Sequence, residues 1–379
     1  MKKIVIFSGS RADYGLLKDL IKKLKKEKNL KISIVSGPPH SSKKYGYTYK
    51  EILKDFKIDL KIVSKIKNTS SHEILQQITN TIFQLSNYFK KNKFDLAIVL
   101  GDRYEALAFS TACFFFKIKI LHFHGGEKTV GALDDTIRHV ISKFSDYHFT
   151  CNKIYKKRLI QLGERPKTIF NFGAVGLADI ISMKFLSKKK INKILNLKAE
   201  RNNILVTFHP ETLSSLQPKK QIIKIINALR SFKKQNIIFT YNNTDLQGDK
   251  ILTEIKNYSK NKDNVYLFNS LGREMYLNLL KRSSVVLGNS SSGIFEAPLL
   301  KTPTINIGNR QKGRIFSPSI FNVKYDTNEI KKKLKSIILS NKKFKFKLYF
   351  YKKNSLEEIL KKIKEILVVK KSFKEFYDQ

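Results

Sequence analysis

The densest group of reactive side chains falls between residues 101 and 139. The run Leu96–Leu100 reads as a buried strand, and Gly101, Asp102, Arg103, Tyr104 and Glu105 follow it directly. The next strand-like run, Ile118–Phe123, delivers His122, His124, Gly125, Gly126 and Glu127, with Asp134, Asp135, Arg138 and His139 close behind. Carboxylates and imidazoles in loops leaving adjacent strands are groups whose ionisation a shared pocket drives apart, as general acid and base catalysis requires. A surface loop salt-bridged by Arg103 and Arg138 is the plainer alternative for any one of these residues, and a poorer account of the whole cluster. His122 and His124 alternate along a strand and so face opposite ways, which argues against a shared zinc ion; no metal is expected.

Two further stretches suit anionic ligands. Gly9-Ser10-Arg11-Ala12-Asp13-Tyr14-Gly15 is a strand-to-helix turn in which a helix N-terminus and Arg11 can meet a phosphate oxygen. It is not GxGxxG, so the nicotinamide fingerprint is missing and no redox cofactor is expected. Gly288-Asn289-Ser290-Ser291-Ser292-Gly293 places three hydroxyls and backbone amides at the opening of a helix, an anion cradle, and Glu296 one turn later can accept two ribose hydroxyls. His209, in Thr207-Phe208-His209-Pro210-Glu211, and Asn242, in Tyr241-Asn242-Asn243, leave two other strand-like runs.

The elements that must hold these loops come in two series. The first is Ile4–Phe7, Ile32–Val35, Leu96–Leu100 and Ile118–Phe123; the second is Ile204–Thr207, Ile237–Tyr241, Val265–Phe268, Val285–Leu287 and Thr304–Ile307. Apolar runs alternating with helical patterns predict parallel sheets. Residues 174–202 hold no strand-like run and place the junction there. The fold class expected is α/β, two Rossmann-like doubly wound domains facing across a cleft, residues 1–175 and 176–345, followed by a C-terminal segment of residues 346–379. The tail from Thr327 to Val369 reads as helices, including Ser355–Val368 with an apolar stripe.

A length of 379 residues with 41% hydrophobic content is enough for two cores. The formal charge of +43 raises nucleic-acid binding, but 63 Lys against 11 Arg, spread over nearly every helical pattern, predicts a solvated surface instead. Cys113 and Cys151 are too few for a disulfide framework and are expected as buried thiols. The N-terminus does not resemble a signal peptide and no apolar run reaches the ~20 residues of a membrane span, so cytoplasmic residence without membrane or nucleic-acid partners is expected.

Taken in order, GSRADYG (9–15), GDRYE (101–105), HFHGGEKT (122–129), DDTIRH (134–139), FHPET (208–212), GNSSSGIFE (288–296) and NIGNRQKGR (306–314) resemble the UDP-N-acetylglucosamine 2-epimerase family, in particular its hydrolysing branch. The resemblance spans nearly the whole chain. It implies a GT-B-like fold and a UDP-sugar substrate, with the sugar and catalytic loops on residues 1–175, the nucleotide on residues 176–345, and residues 346–379 as C-terminal helices crossing back to the first domain. The implied reaction removes the sugar C2 proton as UDP leaves C1, and then hydrates the glycal. It also implies candidate acids and bases in Asp102, Glu127, Asp134 and Asp135, phosphate contacts from Ser290 and Ser291, and ribose contacts from Glu296. His209, Arg11 and Arg310 would meet the diphosphate, with Asn242 nearby, and Arg103, Arg138, His40 and Ser292 complete the implied binding set. Relatives are commonly dimers, so a homodimer is expected. Some members carry Glu where this chain has His124, which leaves open whether His124 acts as acid or base or orients substrate. Pro38-Pro39 before His40 also departs from the family pattern. The same reaction on a diacetamido-trideoxy sugar nucleotide, a retaining glycosyltransferase, and a non-catalytic anion- or nucleic-acid-binding protein are the alternatives.

Overall fold

The computed structural model describes residues 1–64, 69–241, 245–340, 343–370 and 374–378. Asn242 therefore lies outside the described residues. Seven strands, β1 (Lys2–Ser8), β2 (Leu30–Ser36), β3 (Leu60–Lys61), β4 (Leu96–Leu100), β5 (Ile120–Phe123), β6 (Tyr147–Thr150) and β7 (Ile169–Asn171), form a parallel sheet in the order β3-β2-β1-β4-β5-β6-β7. Six more, β8 (Asn202–Thr207), β9 (Gln235–Thr240), β10 (Val265–Phe268), β11 (Ser283–Gly288), β12 (Thr304–Ile307) and β13 (Ile320–Val323), form a second parallel sheet in the order β10-β9-β8-β11-β12-β13. These are two doubly wound α/β sheets, as the strand pattern predicts.

The apolar runs became central strands because a parallel sheet is covered on both faces and offers no wet side for alternation. Ile4, Val5 and Ile6 are fully buried, and Ile4 pairs with Ile32 on one side and Leu96 on the other. One face of the first sheet packs Ile6, Leu17 and Leu121; the other packs Val5, Val99 and Phe109. The second sheet is enclosed in the same way, by Val206, Ile225 and Phe239 on one face and by Leu205, Leu280 and Val286 on the other.

The C-terminal helix Ser355–Val368 buries Leu356, Ile359, Ile363, Ile366 and Leu367 in the first sheet's core. The helices expected in the tail run Thr327–Ile338 and Ser355–Val368, and residues 343–354 between them are not helical. That stretch alternates Lys and Phe in part and works as a strap. Phe344 packs on the second sheet's core, and Phe350 is buried 4.5 Å from Phe295 and 6.1 Å from Tyr155, ring centre to ring centre. Among the described residues, no helix is long and apolar enough to cross a membrane.

Candidate active site

In each sheet the strand order reverses between its first and fourth strands, β1/β4 and β8/β11, and the loops leaving those strands splay apart to open a crevice. The two crevices face one another across a cavity of about 240 Å³. Arg11, Asp102 and Arg103 reach it from the β1 and β4 loops, and His124 and Glu127 from the β5 loop. His209, Ser290 to Ser292, Glu296 and Arg310 reach it from the other sheet.

Two glycines permit the close approaches that shape these walls. Gly126 has φ +76°, and a Cβ there would lie 2.3 Å from the Tyr155 carbonyl oxygen. Only glycine lets the chain reverse at this point and fold Glu127 back beneath His124. Gly288 has φ +136°, and a Cβ would meet the Thr207 carbonyl oxygen at 2.1 Å. The ends of β8 and β11 therefore touch, and Asn289 clasps His209 by two bonds: the His209 amide donates to Asn289 Oδ1 at 2.7 Å, and Asn289 Nδ2 donates to the His209 carbonyl at 2.8 Å.

The carboxylates are ionised unequally. Asp102 is buried, which opposes its charge, but Arg138 and Arg314 outweigh burial and hold it below the ordinary carboxyl range. Burial likewise opposes ionisation of Glu127. Arg314, with Nη2 2.5 Å from Oε2, and a 2.9 Å bond between His124 Nδ1 and Oε1 hold it well below that range. Cys151 Sγ donates to the same Oε1 at 3.0 Å, so both Glu127 oxygens are engaged. Asp134 goes the other way: burial and the charge of Asp102 push it up to about 7, against the pull of Arg310 3.4 Å away. One pocket thus holds a carboxyl that is ionised at neutrality and another that titrates there, the separation that acid and base steps need.

His124 sits at φ +67°, a conformation that non-glycine residues adopt sparsely and that active sites retain when the surroundings enforce it. Here its amide donates to the Phe149 carbonyl at 3.0 Å, and its ring packs edge-on to Phe295 from the opposite wall at 5.6 Å. Nε2 is buried and, among the described residues, has no partner. The atoms offered by His124, Glu127 and Cys151 all lie within 4.8 Å of one another, spacing that a metal ion could use. Arg314 already supplies a positive charge at Glu127, which disfavours a second cation there.

On the facing wall, the helix Ser292–Leu299 opens with Ser292 Oγ 3.2 Å from Ser290 Oγ and 2.5 Å from the Tyr276 hydroxyl. Glu296 is buried one turn on, and burial raises its pKa. Arg310 Nη1 donates to the Asn289 carbonyl at 3.2 Å, which aims the guanidinium between this cradle and Asp134.

Three of the implied site residues do not line the cavity. His40 is fully buried away from the cavity, bonded to Ser8 Oγ at 2.8 Å and Thr48 Oγ1 at 2.9 Å; the two prolines before it begin a 3₁₀ turn that tucks the ring inward. Arg138 is fully buried behind the wall, where Nη1 donates to the Glu127 carbonyl at 2.9 Å and to Asp135 at 3.1 Å, and Nη2 reaches Asp102 and Thr129. Asp135 accepts from the Thr129 amide at 2.5 Å and from Arg138, so it braces the loop instead of facing the cavity. Arg11 does line the cavity, but its guanidinium is spent on the Tyr241 carbonyl, at 2.5 Å, and that of Asn269. Sequence reasoning missed Asp245 and gave no role to Arg314. Asp245 stands 36 residues from its partner His209, a pairing no local spacing reveals.

The chain matches the family described as UDP-N-acetylglucosamine 2-epimerase over residues 22–364. It is 41% identical over 320 residues to the GDP/UDP-N,N'-diacetylbacillosamine 2-epimerase (hydrolyzing) of Campylobacter jejuni, covering 84% of this chain and 83% of that one. It is 37% identical over 332 residues to the polysialic acid biosynthesis protein P7 of Escherichia coli, covering 87% and 84%. The crystal structure of UDP-GlcNAc 2-epimerase from Neisseria meningitidis bound to UDP-GlcNAc superposes with a TM-score of 0.81 over 96% of this chain and 100% of that one at 18% identity, a likeness of fold.

Proposed function

The chain belongs to the UDP-N-acetylglucosamine 2-epimerase family, and from that premise we propose that it is a hydrolysing 2-epimerase converting UDP-N-acetylglucosamine to N-acetylmannosamine and UDP. The observation that carries this reading is the pairing, across one cavity, of Asp102, held ionised, and Asp134, raised to about 7, with the hydroxyl and amide cradle at Ser290 to Ser292. The nucleotide lies on the cradle, with Glu296 at the ribose and Arg310 at the diphosphate. The sugar then falls among the loops after β4 and β5.

Asp102 takes the C2 proton. The C2–H electrons form the C1–C2 double bond of a glycal, while the C1–O electrons leave with UDP. Water then adds hydroxide to C1, Asp134 returns its proton to C2 on the other face, the water proton restores Asp134, and the proton on Asp102 passes to solvent. The C2 hydrogen is a weak acid, so the base must be oriented and the departing charge met by His209 and Arg310. Glu127, held at both oxygens, orients His124, whose free Nε2 meets the substrate. Removing one nucleotide contact, by Ser291→Ala or Glu296→Ala, is expected to raise KM roughly tenfold and change kcat less, the worth of one charge-assisted hydrogen bond made in ground and transition states alike. The opposite split in steady-state kinetics would place the nucleotide elsewhere.

A second reading, the same reaction on UDP-N,N'-diacetylbacillosamine, is favoured by the 41% identity to a relative named for that substrate. UDP release measured with each sugar nucleotide separates the two by their kcat/KM ratio, and release from neither would overturn both. A homodimer belongs to the same proposal. It is supported by Phe83, Phe114 and Phe115, exposed on the adjacent helices Ser71–Lys91 and Tyr104–Phe115. So does a cytoplasmic setting, which the two buried free thiols suit.

A further inference from the structure

His209 is fixed at its backbone by Asn289, but which face of its ring meets the cavity is decided elsewhere. Nδ1 lies 2.7 Å from Asp245 Oδ2, and among the described residues Nε2 has no partner and the residue lines the cavity. The other Asp245 oxygen accepts from Arg103 Nη1 at 3.1 Å. Arg103 comes from the opposite sheet, and its Nε and Nη2 are held by the two oxygens of Glu105, each at 3.1 Å. The chain Glu105, Arg103, Asp245, His209 therefore crosses the cleft and leaves Nε2 as the nitrogen of the His209 ring that can meet a ligand.

An ionised carboxylate can only accept, so the ring must carry its proton on Nδ1. In the neutral ring Nε2 is then an acceptor, the wrong polarity for an anionic diphosphate. The ring can meet that ligand only as an imidazolium, with a second proton on Nε2. We propose that Asp245 is a positioning residue that fixes Nδ1–H of His209 and supplies the countercharge that lets the ring turn cationic when the diphosphate arrives, so that Nε2–H donates to the departing UDP. This rests on the reading of His209 as the group facing the diphosphate.

The surrounding charges agree with a ring that charges only on binding. Burial holds His209 below the ordinary imidazole range; Asp245 opposes this, and Arg310 and Arg103 add to it. Burial also works against Asp245, yet His209 and Arg103 keep it well below the carboxyl range and so ionised. Asp134, whose own pKa Asp245 helps to raise, completes the charged groups around the ring. The empty site thus rests with a neutral imidazole, and a diphosphate supplies the negative charge that reverses the balance.

The test uses the full chain, with UDP itself as the probe in one arm. In ¹⁵N spectra of the UDP complex near neutral pH, with His209 assigned by its loss in His209→Asn, both ring nitrogens are expected to be protonated in the wild type. In Asp245→Asn only one is. In the kinetic arm, Asp245→Asn is expected to lower kcat roughly 100-fold, the low end for loss of an acid–base group. The alkaline limb of its pH profile should move to lower pH, because removing the neighbouring negative charge lowers the pKa of the imidazolium and of Asp134 together, and the ¹⁵N spectra assign the His209 share. Asp245→Glu should recover at least part of both. A neutral His209 in the wild-type UDP complex, or a pH profile unmoved in Asp245→Asn, overturns the proposal; a residue that only stabilised the fold would lower activity without moving the limb. If the wild-type enzyme released UDP from neither sugar nucleotide, the functional reading would fail, while the spectra of the UDP complex would still decide the role of Asp245.

Discussion

Asp102→Asn is expected to lower kcat by roughly three orders of magnitude, inside the range seen when a general base is lost, while UDP affinity stays within about threefold of wild type. The amide keeps the size of the carboxylate and can still approach Arg138, but it cannot take a proton at neutral pH. The nucleotide cradle at Ser290 to Ser292 lies on the other sheet and does not contact Asp102, so binding of the leaving group should survive. A second effect follows from the charge that Asp102 places on its neighbour. That charge helps hold Asp134 at about 7, and removing it lowers the Asp134 pKa, so the acid form is lost at lower pH. The residual activity of the variant should therefore fall away on the alkaline side earlier than that of the wild type. Steady-state kinetics across pH with calorimetric titration of UDP reads both effects; kcat within tenfold of wild type would remove Asp102 from the base role.

Arg138→Met is expected to destabilise the protein by about 3–5 kcal/mol, the cost of breaking a buried ion pair from one side. Met is close in length and fills the volume, so the loss is electrostatic. The guanidinium, fully buried, serves Asp102, Asp135, Thr129 and the Glu127 carbonyl, and without it Asp102 and Asp135 lose the cation they share. The sign of the pH dependence follows from Asp102. Its pKa is depressed in the native state, so it stabilises the fold above the carboxyl range, and that contribution fades as pH falls. In Arg138→Met, Asp102 titrates higher and its charge is a cost at neutral pH that protonation relieves. The gap between wild type and variant in urea unfolding should be widest at neutral pH and narrow toward pH 4. An equal gap at both would show that packing, and not charge, is what Arg138 provides.

Much of the fold was readable because a parallel sheet buries both faces of its inner strands, so that Ile4–Phe7 or Leu96–Leu100 appear as unbroken apolar runs. Strands that escaped are those with polar positions or little length. β6 runs Tyr-His-Phe-Thr, and its His148 is buried because Glu164, 2.8 Å away, bonds the ring; β3 is two residues long. The loops lining the cavity were readable for a related reason: in such sheets they follow strand ends, so Asp102, Glu127 and Ser291 could be placed there by position alone. Sequence could not distinguish arginines that line the cavity from arginines that brace its wall. Arg138 and Arg310 each lie beside acidic or polar loops, and only the packing of the helix Asp134–Phe144 turns the first inward to Asp102. Residues paired across long separations, His209 with Asp245 or Glu127 with Cys151 and Arg314, were invisible for the same reason.

The central claim is that a carboxylate from the first sheet removes the sugar C2 proton while UDP is held by the second. Proton NMR of the reaction in deuterated water tests it most directly. The expected product is the free 2-epimeric sugar carrying one deuterium at C2, appearing together with UDP, since Asp134 exchanges with solvent before it returns a proton. A product that keeps its original hydrogen at C2, or keeps the starting configuration there, would contradict the account.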